Sequence, residues 1–184
     1  TGSIATGANP DGIAAYGDYL YVANSGSFNY PDVDSTVSVI SLSTLAEVKK
    51  IVVGKNPNKV EVAANGDVYV SCYGNFGSIP ASVSVINSST NLLKTNLSSA
   101  YAYSHVRTFD NLAYFYNNYA GTGAELVYNT ATNSNVRTEF ITDGTVVTAT
   151  YGINVDEENG DVYLLDAKNF SNAGEVFCFN SAGV

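Results

Sequence analysis

The 184-residue chain carries 8 basic and 17 acidic residues, a formal net charge of −9. That balance excludes a protein that tracks nucleic-acid phosphates, which needs a basic footprint, and argues against anionic membrane surfaces. No apolar run approaches the ~18 residues of a spanning helix, and few lysines with abundant Tyr, Asn, Ser, Thr, Gly and Val fit an extracellular or cell-surface β-protein.

The chain contains no methionine. A primary translation product begins with one, so the chain reads as processed or as part of a longer product. A signal or lipid anchor is expected in sequence ahead of Thr1.

Apolar positions recur with period two, and Gly, Asn and Ser punctuate them, which is an all-β pattern. Residues 2–6 read as an outermost strand leading into Gly7-Ala8-Asn9-Pro10. A first unit then gives strands at Ile13–Tyr16, Tyr19–Asn24, Thr36–Ile40 and Glu47–Val53. A second begins at Asn56-Pro57, with strands at Lys59–Ala63, Asp67–Cys72 after an Asn65-Gly66 hairpin, Val83–Ile86, and from Leu92. Val83-Ser84-Val85-Ile86 repeats Val37-Ser38-Val39-Ile40 letter for letter. The third unit reads Ser104–Phe109, Ala113–Tyr116, Glu125–Tyr128 and Val136–Ile141. The fourth reads Gly152–Val155, Asp161–Leu165 and Glu175–Phe179, one strand short. The units fall near 7–53, 54–100, 101–147 and 148–184. No linker separates them, so 1–184 reads as one domain. Units of this length match four-stranded propeller blades.

One loop of each unit carries an asparagine followed by an aromatic ring: Asn29-Tyr30, Asn75-Phe76, Asn118-Tyr119 and Asn169-Phe170. In a ring of blades these loops share a face with the blade connections Asn9-Pro10-Asp11 and Asn56-Pro57-Asn58, with Phe28 and Tyr73 adding further rings. Flat aromatics supply contact area at low entropic cost, and Asn both donates and accepts, so the set suits a sugar or a planar ligand. An architectural role competes: Asn locks its own loop while the ring plugs a gap between blades.

Other candidates carry less. His105, the one histidine, shares a face of an innermost strand with Arg107, which puts both along a central channel. It has no second His or carboxylate at useful spacing, so a hydrogen-bonded structural role is expected. The acidic loop Pro31–Ser35 lacks the Gly and distal Glu of a calcium hand. Cys72 and Cys178 lie in strands of different units and read as two buried free thiols. No phosphate loop, catalytic triad or metal-ligand spacing appears, so neither a metal nor a cofactor is expected.

Tyr21-Val22-Ala23-Asn24, Val37-Ser38-Val39-Ile40 and Gly54-Lys55-Asn56-Pro57 together resemble the YVTN-type repeat of YncE-like surface-layer propellers of the Bacteroidetes type. That family places Asp where this chain has Ser41 and Asn87. The resemblance implies a β-propeller of four-stranded antiparallel blades, seven or eight in a complete ring, of which this chain supplies about four. A free four-bladed ring closed by residues 2–6 is the other geometry. Some proteins of this resemblance are outer-membrane lipoproteins that capture cobalamin and pass it to a transporter. It therefore implies a non-enzymatic surface propeller binding a small molecule, a corrinoid or a glycan, or else a surface protein, without inserting into the membrane itself. A propeller lyase with further site residues elsewhere and a structural assembly module are the alternatives.

Overall fold

The computed structural model describes residues 2–97, 101–118, 121 and 125–184. Fifteen strands lie among them, in four antiparallel sheets that each follow chain order. The first comprises β1 (Pro10–Tyr16), β2 (Tyr19–Asn24), β3 (Thr36–Ser41) and β4 (Ala46–Val52). The second comprises β5 (Pro57–Val62), β6 (Asp67–Cys72), β7 (Ser82–Asn87) and β8 (Leu92–Asn96). The third comprises β9 (His105–Phe109), β10 (Leu112–Tyr116), β11 (Glu125–Asn129) and β12 (Ser134–Arg137). The fourth holds three strands, β13 (Thr150–Val155), β14 (Val162–Asp166) and β15 (Glu175–Phe179). A 3₁₀ turn, Ser27–Asn29, follows β2.

The chain forms two compact units, Thr1–Val106 and Arg107–Val184. In the first, β5 packs on β1 and β2. The core there interleaves Tyr21, Val37, Val39 and Ile51 of the first sheet with Val60, Val68, Val70 and Ile86 of the second. Each such side chain contributes roughly 1.5–3 kcal/mol by leaving water. The buried Tyr21 hydroxyl still finds a partner, donating to Asn91 Oδ1 at 2.6 Å. In the second unit, Phe140 lies edge-on to both Tyr114 and Phe179, at 5.5 Å each, within a core that includes Val127, Ile153 and Leu164.

The outer hairpins show how the repeat tolerates its Ser41 and Asn87. The Asn87 and Asn129 side chains accept from backbone N–H groups two or three residues on, at 2.9–3.0 Å, and Ser41 Oγ accepts more weakly from Thr44 at 3.4 Å. Each turn then closes through a residue at positive φ: Leu45, Asn91 and Asn133. Any short side chain with an acceptor oxygen does this work, so Asp is not required.

Three expectations need correction. Residues 2–6 form no strand, and the chain is irregular up to Asn9; an extended segment becomes a strand only where an edge pairs with it. The segment Val136–Ile141 is not one strand. Pairing ends at Arg137, because Phe140 and Ile141 turn into the core, the Phe140 N–H donating to Glu125 O at 3.1 Å. Finally, Cys72 and Cys178 are both free thiols, but Cys178 is exposed. It pairs with the exposed Tyr163 on the outward row of the fourth sheet.

Candidate functional site

In the first two sheets, the loop following the second strand is built by hydrogen bonds to the connection that enters the sheet. In the first sheet, Ser25 N–H and Oγ both donate to Asn9 O, at 3.1 and 2.8 Å, and Gly26 N–H donates to Ala8 O at 3.0 Å. In the second, Tyr73 and Gly74 bond Asn56 O and Lys55 O in the same way, at 2.9 and 3.0 Å. Asn9 and Asn56 occupy matching left-handed conformations, φ 47° and 56°, which Asn tolerates better than most residues. Gly26, at φ 62°, has no room for a side chain: a Cβ there would overlap the Asp34 backbone nitrogen. Asp34 is half-buried and ties that loop, accepting from Ser35 N–H at 2.6 Å and Thr36 Oγ1 at 2.9 Å.

The Asn-aromatic pairs divide their labour. Asn75 Oδ1 accepts from Gly77 and Ile79 N–H, at 3.1 and 2.8 Å. Asn169 Oδ1 accepts from Ser171 and Asn172, at 3.2 and 2.9 Å. Both amide oxygens are thus committed to their own loops. The rings that follow are not plugs: Phe76 is 69% and Phe170 56% exposed. Both stand at positive φ, 55° and 61°, a conformation a bulky residue adopts only when its surroundings impose it. Asn29 holds its loop through its backbone, its N–H donating to Gly26 O and its carbonyl accepting from Asp32, each at 2.8 Å. Tyr30 beside it is exposed and precedes a cis proline. Asn118 Oδ1 is buried and accepts no hydrogen bond among the described residues; Tyr119 lies outside them.

Within the first unit, Phe76 lies 5.7 Å from Tyr73, and Tyr73 meets the His105 ring edge-on at 5.3 Å. His105 is buried, with Nε2 at 3.1 Å from Tyr73 Oη and Nδ1 at 2.9 Å from Ser104 Oγ. Burial, with Lys59 adding repulsion, holds its pKa down to about 4, so it is neutral at physiological pH. Arg107 sits in the second unit, where Nε donates to Asn154 Oδ1 at 2.8 Å and a guanidinium nitrogen lies 3.4 Å from Glu157.

A cavity of about 460 Å³ opens between the entering connection and the loop of the first sheet, lined by Asn9, Pro10, Asp11, Ser25, Ser27 and Phe28. Phe28 is 88% exposed. Behind the wall, Ser27 Oγ donates to Asn56 Oδ1 at 2.8 Å, and the buried Asn56 Nδ2 has no partner among the described residues. A smaller cleft of about 240 Å³ in the second unit is lined by Tyr151, Leu165, Asp166, Ala167, Gly174, Glu175 and Val176, with Phe170 edge-on to Tyr151 at 5.9 Å. Sequence reasoning placed Asn9, Asp11 and Phe28 on one face but missed Ser25, Ser27 and Tyr151. The serines directly follow the Tyr-Val-Ala-Asn strand, a position that signals the loop floor. Among the described residues, no three His, Cys, Asp or Glu side chains gather to hold a metal, and no helix is long and apolar enough to cross a membrane.

No protein-family model matches the chain, and no curated protein does. Solved structures do. Hydrazine synthase of Kuenenia stuttgartiensis superposes with a TM-score of 0.71 at 20% identity, over 98% of this chain and 53% of that one. Dihydro-heme d1 dehydrogenase NirN, in complex with DHE, superposes with a TM-score of 0.60 at 14% identity, over 96% of this chain and 35% of that one. The chain thus spans about half of the first of these two chains and about a third of the second. Both are β-propeller proteins, and with four antiparallel meanders the fold of this chain is a β-propeller built of four-stranded blades, one of them three-stranded here.

Proposed function

We propose that the chain is a non-enzymatic ligand-binding propeller segment, displayed outside the cell or on its surface, within a ring of seven or eight blades. One observation carries this reading: aromatic rings stand exposed on hydrogen-bonded loops at equivalent places in three described repeats. An exposed bulky residue in a left-handed conformation gains nothing for the core, so a purely structural role leaves its cost unexplained. The ligand is a small molecule, a corrinoid or a glycan, taken up by stacking and hydrogen bonding without bond chemistry, and a surface partner such as an outer-membrane transporter would receive it. The haem-derived ligand named with NirN makes a tetrapyrrole a reasonable member of the test panel. Contacts are assigned to Tyr30, Phe76, Tyr119 and Phe170, oriented by Asn29, Asn75, Asn118 and Asn169.

Calorimetry with cobalamin and with neutral glycans tests this. Phe76→Ala should weaken binding by about 1–3 kcal/mol, the effect of truncating an aromatic anchor, with little change in melting temperature. Absence of binding by any of these compounds would sink the reading. The assembly-module reading is favoured by a separate observation, the exposed apolar row of the fourth sheet: Tyr151, Tyr163, Leu165 and Val176. It predicts concentration-dependent association in sedimentation experiments.

A further inference from the structure

We infer that the cavity of the first sheet is a subsite for a neutral saccharide, an inference that rests on the loop-face reading above and gives it one ligand class. The six lining residues include one carboxylate, Asp11, and no cation. In a chain of net charge −9, such a lining disfavours phosphates and carboxylated ligands, whose charge it would repel. What it offers is a carboxylate that accepts from hydroxyls, the Asn9 amide and Ser27 hydroxyl within reach of the same volume, and the Phe28 ring standing 88% exposed at the rim. A sugar ring presents that combination: hydroxyls at its edge and an apolar C–H face for the aromatic plane.

The cavity is held open by its own bonding. Ser25, itself buried, ties the loop to Asn9 through two bonds, and Ser27 Oγ lies 3.1 Å from Ser25 Oγ and 2.8 Å from Asn56 Oδ1. The floor therefore keeps its shape without ligand, which lowers the ordering cost of binding. A volume of about 460 Å³ falls in the lower part of the ~300–1,000 Å³ typical of small-molecule sites. That accommodates a short saccharide better than a corrinoid macrocycle with its appended nucleotide.

The test is calorimetric titration of the 184-residue chain with maltose, cellobiose, xylobiose and N,N′-diacetylchitobiose, with cobalamin in parallel, on wild type and on Phe28→Ala and Asp11→Asn. Both side chains are exposed, so melting temperatures should match wild type and confirm folding. The expected result is binding of at least one disaccharide, weakened about tenfold or more by each substitution. Disaccharide binding that both variants retain would overturn this subsite while leaving the loop-face reading standing. Binding of cobalamin with no disaccharide would do the same. Binding of nothing would overturn both.

Discussion

The second strands of the second and fourth sheets, β6 and β14, begin from nearly the same text, Asn65-Gly66-Asp67-Val68-Tyr69 and Asn159-Gly160-Asp161-Val162-Tyr163. In both, the Asn side chain accepts from the Asp N–H and Gly turns at φ near 80°. Beyond the turn they part. Every residue of β6 is buried, Tyr69 included, because both faces of that strand are covered. Along β14 burial alternates strictly, and Tyr163 and Leu165 face outward. The last residue of the strand differs as well. Cys72 is an apolar filler against Gly54, where a Cβ would come within 2.9 Å of its sulfur. Asp166 is a buried carboxylate accepting from the N–H groups of Thr148, Ala149 and Lys168 at 2.8–3.0 Å, with Lys168 Nζ at 3.3 Å. Local text sets the turn and the strand; what covers a face is decided elsewhere.

Neighbouring leucines give the largest test. Leu164 is fully buried and Leu165 is 44% exposed. Leu164→Ala should cost about 2–5 kcal/mol, and Leu165→Ala under about 1 kcal/mol, by urea denaturation. In β6 no such contrast is expected between Tyr69→Ala and Val70→Ala, which should both destabilise. Equal costs at Leu164 and Leu165 would remove the sidedness of the fourth sheet.

Acid separates the two units. Burial opposes ionisation of Asp166, but its backbone donors and Lys168 outweigh that and hold its pKa down to about 2, against 3.8 ordinarily. A depressed folded pKa means stability that is full above the unfolded value and lost as pH falls through the folded one. The Asp166 contribution should therefore disappear between about pH 4 and 2. His105 obeys the same sign in a higher window. With a pKa of about 4 against 6.5 unfolded, the unfolded chain takes up a proton the folded chain refuses, so stability should fall from pH 6.5 towards 4. Melting curves of Asp166→Asn and His105→Gln should each flatten their own window only.

Thiol chemistry sharpens the contrast further. Burial pushes the Cys72 thiol up to about 12, against weak opposition from Ser82 and Ser84. Titration of the native chain with a thiol reagent should find one fast group, Cys178, and a second only on unfolding. Two fast groups would mean that the core of the first unit opens readily. The smallest effect is expected at the loop locks. Asn75→Ala removes three exposed hydrogen bonds and Asn169→Ala two, each change worth about 1 kcal/mol or less in net stability. Faster hydrogen exchange at Ile79 and Asn172 would report the loss.

The strand text was legible because period-two alternation and Asn-Gly turns are local devices; β2, β6 and β15 fall at the expected residues. So was the face that gathers Asn9, Asp11 and Phe28, since repeat register places equivalent loops together. Four things were decided only by tertiary structure. Residues 2–6 needed an edge to become a strand. Phe140 and Ile141 abandoned alternation because the core between Tyr114 and Phe179 offered them more burial than a ladder did. Cys178 faced water because its sheet is covered on one side. Phe76 and Phe170 stood outside rather than plugging gaps between blades. Each outcome depends on which groups a distant part of the chain brings within a few ångströms, and no local pattern encodes that.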